Sequence, residues 1–525
     1  MVCAAASESV FVVHGDWSGD AITNSLRALL PTRERAIAKH RFTLLDTFDG
    51  RVRRAGARLT RSGDDRAATM AWQDGRRGSS LAVELTQPVS FAWDLPRGPL
   101  QRALTPVVGV RRLLAQADAE SQGSQLDVLD DQRKTIARLR IESAKVRRPQ
   151  TRTAWRPLPT VITLSALRGY EDVYRRLVPI LESRPGIASC PEGVQALMLR
   201  HAGTLATGAT SVAIELEPTV LAGVGARQIH RALTAALIAN EPGLRANLDS
   251  EFLHDFRVAL RRTRSLLGQL KRVFPEHVAA HFAAEFSWMG RLTGPPRDLD
   301  VLVLSLRAQP DDCDAGGFEA LLAFLGHRQE RERQSLVEAL DSPRYRALLA
   351  DWQGFLHRPL EAAADAPAAN QPLVEVVSRR AWRLSRRLID SAETITTGTA
   401  AAQVHDVRII AKKLRYLIDV TPGFYDPADL GRILAALKKL QRVLGDFNDA
   451  HVQESRLIEY GRALVAEDGA TSARTVLAQL TQRRREQGER LRAGVLDRMS
   501  EFASRATRAA CRRAFKRSAT DGRAQ

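Results

Sequence analysis

The segment His254 to Arg264, HDFRVALRRTR, returns as His405 to Arg415, HDVRIIAKKLR, an offset of 405 − 254 = 151. Both copies read His-Asp-x-Arg, an aliphatic residue, two further positions, a basic pair, one position and a final Arg. The same offset carries Arg291-Leu-Thr-Gly-Pro-Pro-Arg-Asp298 onto Arg442-Val-Leu-Gly-Asp-Phe-Asn-Asp449 without adjustment. Two motifs repeating in one register require two copies of one structural unit. At about 100° per residue, His254, Arg257, Arg261 and Arg264 fall within roughly an 80° arc, while Phe256, Leu260 and Leu267 lie on a neighbouring one. One face packs and the other is cationic. His405, Arg408, Lys412 and Arg415 take the same angular positions in the second copy.

The formal charge of +18 extends this pattern to the whole chain. It favours a polyanionic partner, whether nucleic acid, an acidic membrane or polyphosphate, and does not choose among them. Arginine supplies most of it, yet four of the nine lysines are Lys412, Lys413, Lys438 and Lys439. Clustered ammonium groups in an arginine-rich chain mark a place where compact charge is wanted. The cysteines Cys3, Cys190, Cys313 and Cys511 are far apart and form no C-x-x-C pair, the usage of a reducing compartment. The N-terminal MVCAAASESVFVVHGDW lacks a basic leader region, and no later run approaches a membrane span. A cytoplasmic, non-spanning protein is expected.

From Ser9 to Glu217 the pattern is strand-like, with segments such as Ser79 to Thr86 and Thr135 to Ala144 separated by Ser62-Gly63-Asp64-Asp65 and Asp74-Gly75. Helices are expected near Asp20 to Leu30 and Gly169 to Leu181. The fold class is therefore α+β with an N-terminal antiparallel sheet. His201 to Val220 is small-residue and turn-rich, a linker. Beyond it the periodicity is helical, over Ile229 to Ala239, Phe282 to Leu292, Phe318 to Leu340, Val374 to Ile389, Leu430 to Leu444 and Ala473 to Leu496. Pro359 to Pro372 separates the two repeats.

Within the first region, Asp46-Thr47-Phe48-Asp49 followed by Arg53-Arg54-Ala-Gly56-Ala-Arg58-Leu59 resembles the early strand-and-turn segment of the CYTH, or triphosphate tunnel, family. Leu129 to Arg138 and Leu167-Arg-Gly-Tyr170 resemble later segments of it. Active members open with Glu-x-Glu-x-Lys, whose carboxylates hold a divalent metal while the Lys grips phosphate. The corresponding Glu8 to His14, ESVFVVH, has one Glu and no Lys; Gln73 stands where a second Lys is usual, and Val161 to Leu167 carries no carboxylate. Arg53, Arg58, Arg138, Arg140, Glu84 and Glu142 are candidates to line a tunnel. The expectation is a degenerate, tunnel-like domain without catalysis, a triphosphatase being the alternative.

The helical region is similar to CHAD. The resemblance is carried by His254-Asp-Phe-Arg257 with Arg261, Arg262 and Arg264, by the Gly294-to-Asp298 loop, by His405-Asp-Val-Arg408 with Lys412-Lys413-Leu-Arg415-Tyr416, and by Leu440-Gln441 with Leu444-Gly445 to Asn448-Asp449. It implies an all-α domain of two pseudo-symmetric four-helix bundles whose motif helices face one basic cavity. Members of that family bind inorganic polyphosphate and associate with polyphosphate granules. The expected organisation is a CYTH-like domain at 1–200, a linker at 201–220, CHAD at 221–515 with halves of about 221–357 and 373–515, and a disordered tail at 516–525.

Phosphate chains carry full charge and accept several hydrogen bonds, so a row of Arg and Lys one helical turn apart suits them. The expected binding set is His254, Arg257, Arg261, Arg262, Arg264 and Arg291 with His405, Arg408, Lys412, Lys413, Arg415, Lys438, Lys439 and Arg442. Asp298 and Asp449, expected after a Gly-containing turn, would orient an arginine of the motif helix; Asp255 and Asp406 would brace it or cap its start. No metal or cofactor is expected. A metal phosphohydrolase of His-Asp type is disfavoured because a cation beside Arg261, Arg262 and Arg264 is repelled. Nucleic-acid binding fits the charge, but no aromatic-rich strand or zinc motif supports it.

Overall fold

The computed structural model describes residues 8–15, 19–63, 68–75, 79–149, 151, 153–204, 214–307, 314–358, 365–396, 398–466 and 471–516. Expectations for the tail after Lys516, for Cys3 and Cys313, and for much of the linker fall outside these residues. The chain divides into two compact units, Met1–Thr210 and Ser211–Gln525.

In the first unit, alternating apolar residues build strands β1 (Glu8–Val13), β2 (Thr32–Asp46), β3 (Ala57–Gly63), β4 (Ala68–Asp74), β5 (Ser79–Leu85), β6 (Leu114–Leu129), β7 (Thr135–Arg147), β8 (Arg156–Pro157), β9 (Val161–Ala166) and β10 (Ile187–Ser189). They form one antiparallel sheet in the order β10-β1-β9-β7-β6-β2-β3-β4-β5, with β8 beside β7. Helices α1 (Gly19–Arg27), α2 (Arg51–Arg54), α3 (Pro99–Val108), α4 (Glu171–Glu182) and α5 (Gly193–Ala202) complete the unit. Because side chains alternate across a strand, Phe11, Leu139 and Ile141 bury under α1 and α4, while Val12, Phe42 and Leu44 bury under α5 on the opposite face. At Gly123 of β6 an added Cβ would stand 1.9 Å from the Ile141 carbonyl oxygen of β7.

The sheet curls. Arg58 on β3 feels the charges of Glu142 on β7 and Glu8 on β1, strands that are not its neighbours in the sheet. Asp127, 1% exposed, is held at 3.3, 3.2 and 3.5 Å by Arg33, Arg35 and Arg138. Glu142 accepts from Arg140 and Ser121, both at 3.1 Å. Gln73 accepts from Arg58 at 3.0 and 2.6 Å. Among the expected tunnel residues, Glu84 lies exposed on β5 and Arg53 in α2.

The second unit is helical: α6 (Ala222–Arg245), α7 (Ser250–Gln269), α8 (Glu276–Leu292), α9 (Gly294–Arg307), α10 (Ala315–Asp341), α11 (Pro343–His357), α12 (Leu373–Thr394), α13 (Ala401–Val420), α14 (Pro427–Ala466), α15 (Thr471–Phe502) and α16 (Arg505–Cys511). The 151-residue offset maps the ends of α7 onto the ends of α13 (250 + 151 = 401, 269 + 151 = 420). Trp352, fully buried, anchors the first half; its indole donates to Thr234 at 3.0 Å and its ring meets Phe282 and Phe286 at 4.6 and 5.4 Å. The halves are joined by one apolar core in which Leu299, Leu302 and Leu306 of α9 and Leu321 and Leu325 of α10 pack on Leu457 and Leu464 of α14 and Val476 and Leu480 of α15.

Two local expectations are corrected. Gly294 to Asp298 opens α9, and Leu444 to Asp449 lies inside the 40-residue α14, so neither acidic residue follows a Gly-containing turn. The first copy breaks at Thr293 because Pro295 and Pro296 lack the N–H that a continuous helix needs, though they are tolerated in a first turn. Asp446 and Phe447 occupy those places in the second copy, and the helix runs on. Asp255 and Asp406 also lie within their helices; the cap of α7 is Asp249, whose carboxylate accepts from the backbone N–H groups of Glu251 and Phe252.

Candidate functional site

Helix α7 buries Phe252, Phe256, Ala259, Leu260, Thr263 and Leu267, a stripe at three- and four-residue spacing. At Gly243 of α6 an added Cβ would meet the Phe252 ring at 2.3 Å, so this ring of α7 packs directly on the α6 backbone. Helix α13 buries Val404, Val407, Ala411, Leu414 and Ile418 by the same rule. With these stripes fixed inward, the cationic faces of the two helices are committed to one place.

That place is a cavity of about 460 Å³, bordered by His254, Arg257 and Arg261 of α7 and by Arg408 and Lys412 of α13. Arg297 and Asp298 of α9 and Asn448, Asp449, Val452 and Arg456 of α14 complete most of its wall. Six cationic side chains (Arg257, Arg261, Arg297, Arg408, Lys412, Arg456) thus surround two carboxylates. Asp449 is 3.6 Å from Arg408. Asp298 instead pairs across the repeat, at 3.2 Å, with Arg456, which also binds Glu459 at 2.8 Å. Arg257 donates to Thr293 at 3.0 Å and Gly290 at 3.4 Å, and Arg297 to the Ser250 carbonyl at 2.9 Å. Among the described residues, Arg261 and Lys412 have no ion-pair partner, and Nε of both Arg261 and Arg408 is buried without an acceptor.

The electrostatic consequences appear in the ionisation of these groups. Burial, reinforced by Arg408 and Arg261, pushes the Lys412 ammonium down to about 7. Burial, together with Arg261, lowers Arg257 to about 10 against the opposing pull of Asp298. Arg408 is also lowered, by burial first, with Asp449 opposing and Arg261 adding to the shift. Like charges held together out of water favour loss of a proton or gain of an anion.

The remaining expected residues stand elsewhere. Arg262 and Arg415 both bind Asp419, at 3.2 and 2.5 Å, bracing α7 against α13. Arg264 lies beside Arg291 outside the cavity wall. Gln269 donates to the Lys413 carbonyl at 3.3 Å, and the Lys413 side chain does not border the cavity. Lys438, Lys439 and Arg442 are exposed on α14 and do not border the cavity, with Lys439 on Glu501 at 2.6 Å. His405 borders an adjoining cavity of about 410 Å³, its Nδ1 at 2.6 Å from the Asn448 side-chain oxygen. Arg297 and Arg456 were missed because the offset pairs them with Asn448 and Ser305. The signal for Arg456 was the four-residue row Asn448, Val452, Arg456.

The carboxylates of the first unit's concave face do not suit a divalent cation. Asp127 is taken by three arginines and Glu142 by Arg140, and no group of three or more His, Cys, Asp or Glu is placed to hold a metal among the described residues. No helix among them is long and apolar enough to cross a membrane.

The CHAD domain family profile matches residues 228–458. Similar solved structures include the CHAD domain from the plant Ricinus communis, at 26% identity and TM-score 0.46, covering 54% of this chain and 94% of that one. PptA from Streptomyces chartreusis matches at 16% identity and TM-score 0.41, over 54% of this chain and all of that one. HpAC1 from Hippeastrum, a proposed adenylyl cyclase with a dominant triphosphatase activity, matches at 11% identity and TM-score 0.24, over 38% of this chain and 97% of that one. No curated protein matches. The helical unit of this chain carries a CHAD domain at residues 228–458.

Proposed function

We propose that the protein binds inorganic polyphosphate in the cavity between α7 and α13, as a binder rather than an enzyme. The observation that carries this reading is the convergence of Arg257 and Arg261 with Arg408 and Lys412 on one cavity, where Arg261 and Lys412 lack ion-pair partners among the described residues. A buried donor without a partner costs about 1–3 kcal/mol, and phosphate oxygens relieve that cost. Arg257, Arg261, Arg408 and Lys412 are the proposed grip, Arg297 and Arg456 extend it, and Asp298 and Asp449 hold Arg456 and Arg408 in place. Cytoplasmic polyphosphate granules are the proposed location. The sheet domain is proposed as a non-catalytic partner, since its concave carboxylates are already bound by arginines.

The test is a titration of the full chain with long-chain polyphosphate and with single-stranded RNA at equal phosphate concentration. Tighter binding of polyphosphate, lost when Arg261 and Lys412 are replaced by Glu, supports the proposal. Equal affinity for both ligands would make the protein a general polyanion binder.

A further inference from the structure

Beside the basic cavity lies the second one of about 410 Å³, and the two share Asn448, Val452 and Arg456 as a common wall. Its chemistry differs sharply. Its charged residues are Arg456 and Glu459, already paired with each other at 2.8 Å, so its field is close to neutral and gives a further phosphate nothing to bind. Glu459 would repel one. Much of the wall is carbon: Ala401 and Ala402 at the start of α13, Val452, and Phe447, whose ring lies tilted against His451 at 4.3 Å. Val452 is 40% exposed, an apolar side chain left uncovered at the junction. Its polar groups are Asn448, Ser455, the Arg456–Glu459 pair and the two imidazoles. Nδ1 of His405 is taken by Asn448 and Nδ1 of His451 by the Phe447 carbonyl, which leaves Nε2 of each ring, among the described residues, for a ligand.

A largely apolar slot with a few polar groups, sharing Arg456 with a cationic chamber, matches a ligand with a flat neutral end and a polyanionic chain. We propose that this second cavity takes the nucleoside end of a nucleoside polyphosphate whose phosphates lie in the cavity between α7 and α13. The base packs between Val452 and the His451 side of the slot. Glu459 and Ser455 meet the ribose hydroxyls, a role for which a carboxylate is suited, and the phosphates run past the paired Arg456 toward Arg261 and Lys412. This assignment rests on the proposed anion binding of the neighbouring cavity.

The experiment compares adenosine 5′-tetraphosphate with inorganic tetraphosphate, equal in number of phosphates, by calorimetric titration of the full chain without metal ions. The nucleoside form is expected to bind at least about 10-fold tighter to the wild type. Ala402→Trp, which fills the slot from an exposed position near the start of α13, should abolish that advantage and leave inorganic tetraphosphate unchanged. Ser455→Trp fills it from α14 and should do the same, so the result does not hang on one variant folding. Glu459→Gln should weaken the nucleoside form severalfold, and the 2′,3′-dideoxy ligand should be insensitive to that change. Equal affinity of the two ligands in the wild type, or an advantage that survives both Trp variants, overturns the nucleoside assignment while leaving phosphate binding intact. Binding of neither ligand, with polyphosphate also failing to bind, overturns both.

Discussion

Lys412 shows how a single residue couples the site to solution conditions. Its ammonium is poised at about 7 by burial and by Arg408 and Arg261, whereas an unfolded lysine titrates near 10.4. The charged form is therefore disfavoured by folding below about pH 7, and stability from this group rises between about 7 and 10, because there the unfolded chain holds the extra proton. Anion binding acts in the opposite sense: phosphate beside Lys412 restores the charge. Polyphosphate affinity should fall as pH rises from 7 to 9, and calorimetry at pH 8 in buffers of different ionisation enthalpy should record proton uptake on binding. Lys412→Arg should flatten that dependence, and an unchanged profile would remove Lys412 from the site. The repeat made Arg257, Arg261, Arg408 and Lys412 legible in the sequence. It also gathered in Lys438, Lys439 and Arg442, which stand on α14 about 9–15 Å before Asn448, since a charge cluster says nothing about position along a helix. On α14, Lys439 is nine residues from Asn448, about 180° around the helix, and it faces Glu501 instead.

Helix α7 is specified by three features of its own: the Asp249 cap, the buried stripe from Phe252 to Leu267, and Gly243 opposite Phe252. Asp249→Ala should destabilise the helical unit by about 1 kcal/mol, the usual worth of an N-cap. Trp352→Ala should cost about 3–5 kcal/mol by removing the centre of the aromatic cluster. Denaturant unfolding measures both, and each variant should bind polyphosphate normally where it is still folded, because neither residue borders the cavity. The identity of α7 and α13 as paired amphipathic helices could be read directly from periodicity. The structure of the second motif could not: Gly294 and Gly445 suggested a turn in both copies, but Pro295 and Pro296 break the first helix while Asp446 and Phe447 let the second continue. The cross-repeat pairs, Arg456 with Asp298 and Arg262 with Asp419, were also hidden, since each joins residues more than 150 positions apart.

At the scale of the molecule, the two units divide along the line where the sequence pattern changes from alternating to helical, and they carry different electrostatic designs. The sheet unit spends its arginines on Asp127 and Glu142; the helical unit leaves Arg261 and Lys412 uncommitted among the described residues. Residues 211–525 alone should therefore retain polyphosphate binding, and full-length protein with Mg²⁺ or Mn²⁺ should release no phosphate from triphosphate above a Glu84→Gln, Glu142→Gln control. Turnover lost in that control would restore the triphosphatase reading. If the two cationic rows share one ligand, a long chain engages both and gains from the effective concentration of its second contact, and affinity falls steeply with salt as counterions are released. Each charge-assisted contact is worth about 1.5–3 kcal/mol. The decisive measurement is the affinity of short and long polyphosphate for Arg257→Glu with Arg261→Glu, for Arg408→Glu with Lys412→Glu, and for all four together. A shared cavity predicts that either pair removes most of the long-chain advantage and that combining them adds little; losses that sum fully at every chain length would mean two independent patches and contradict it.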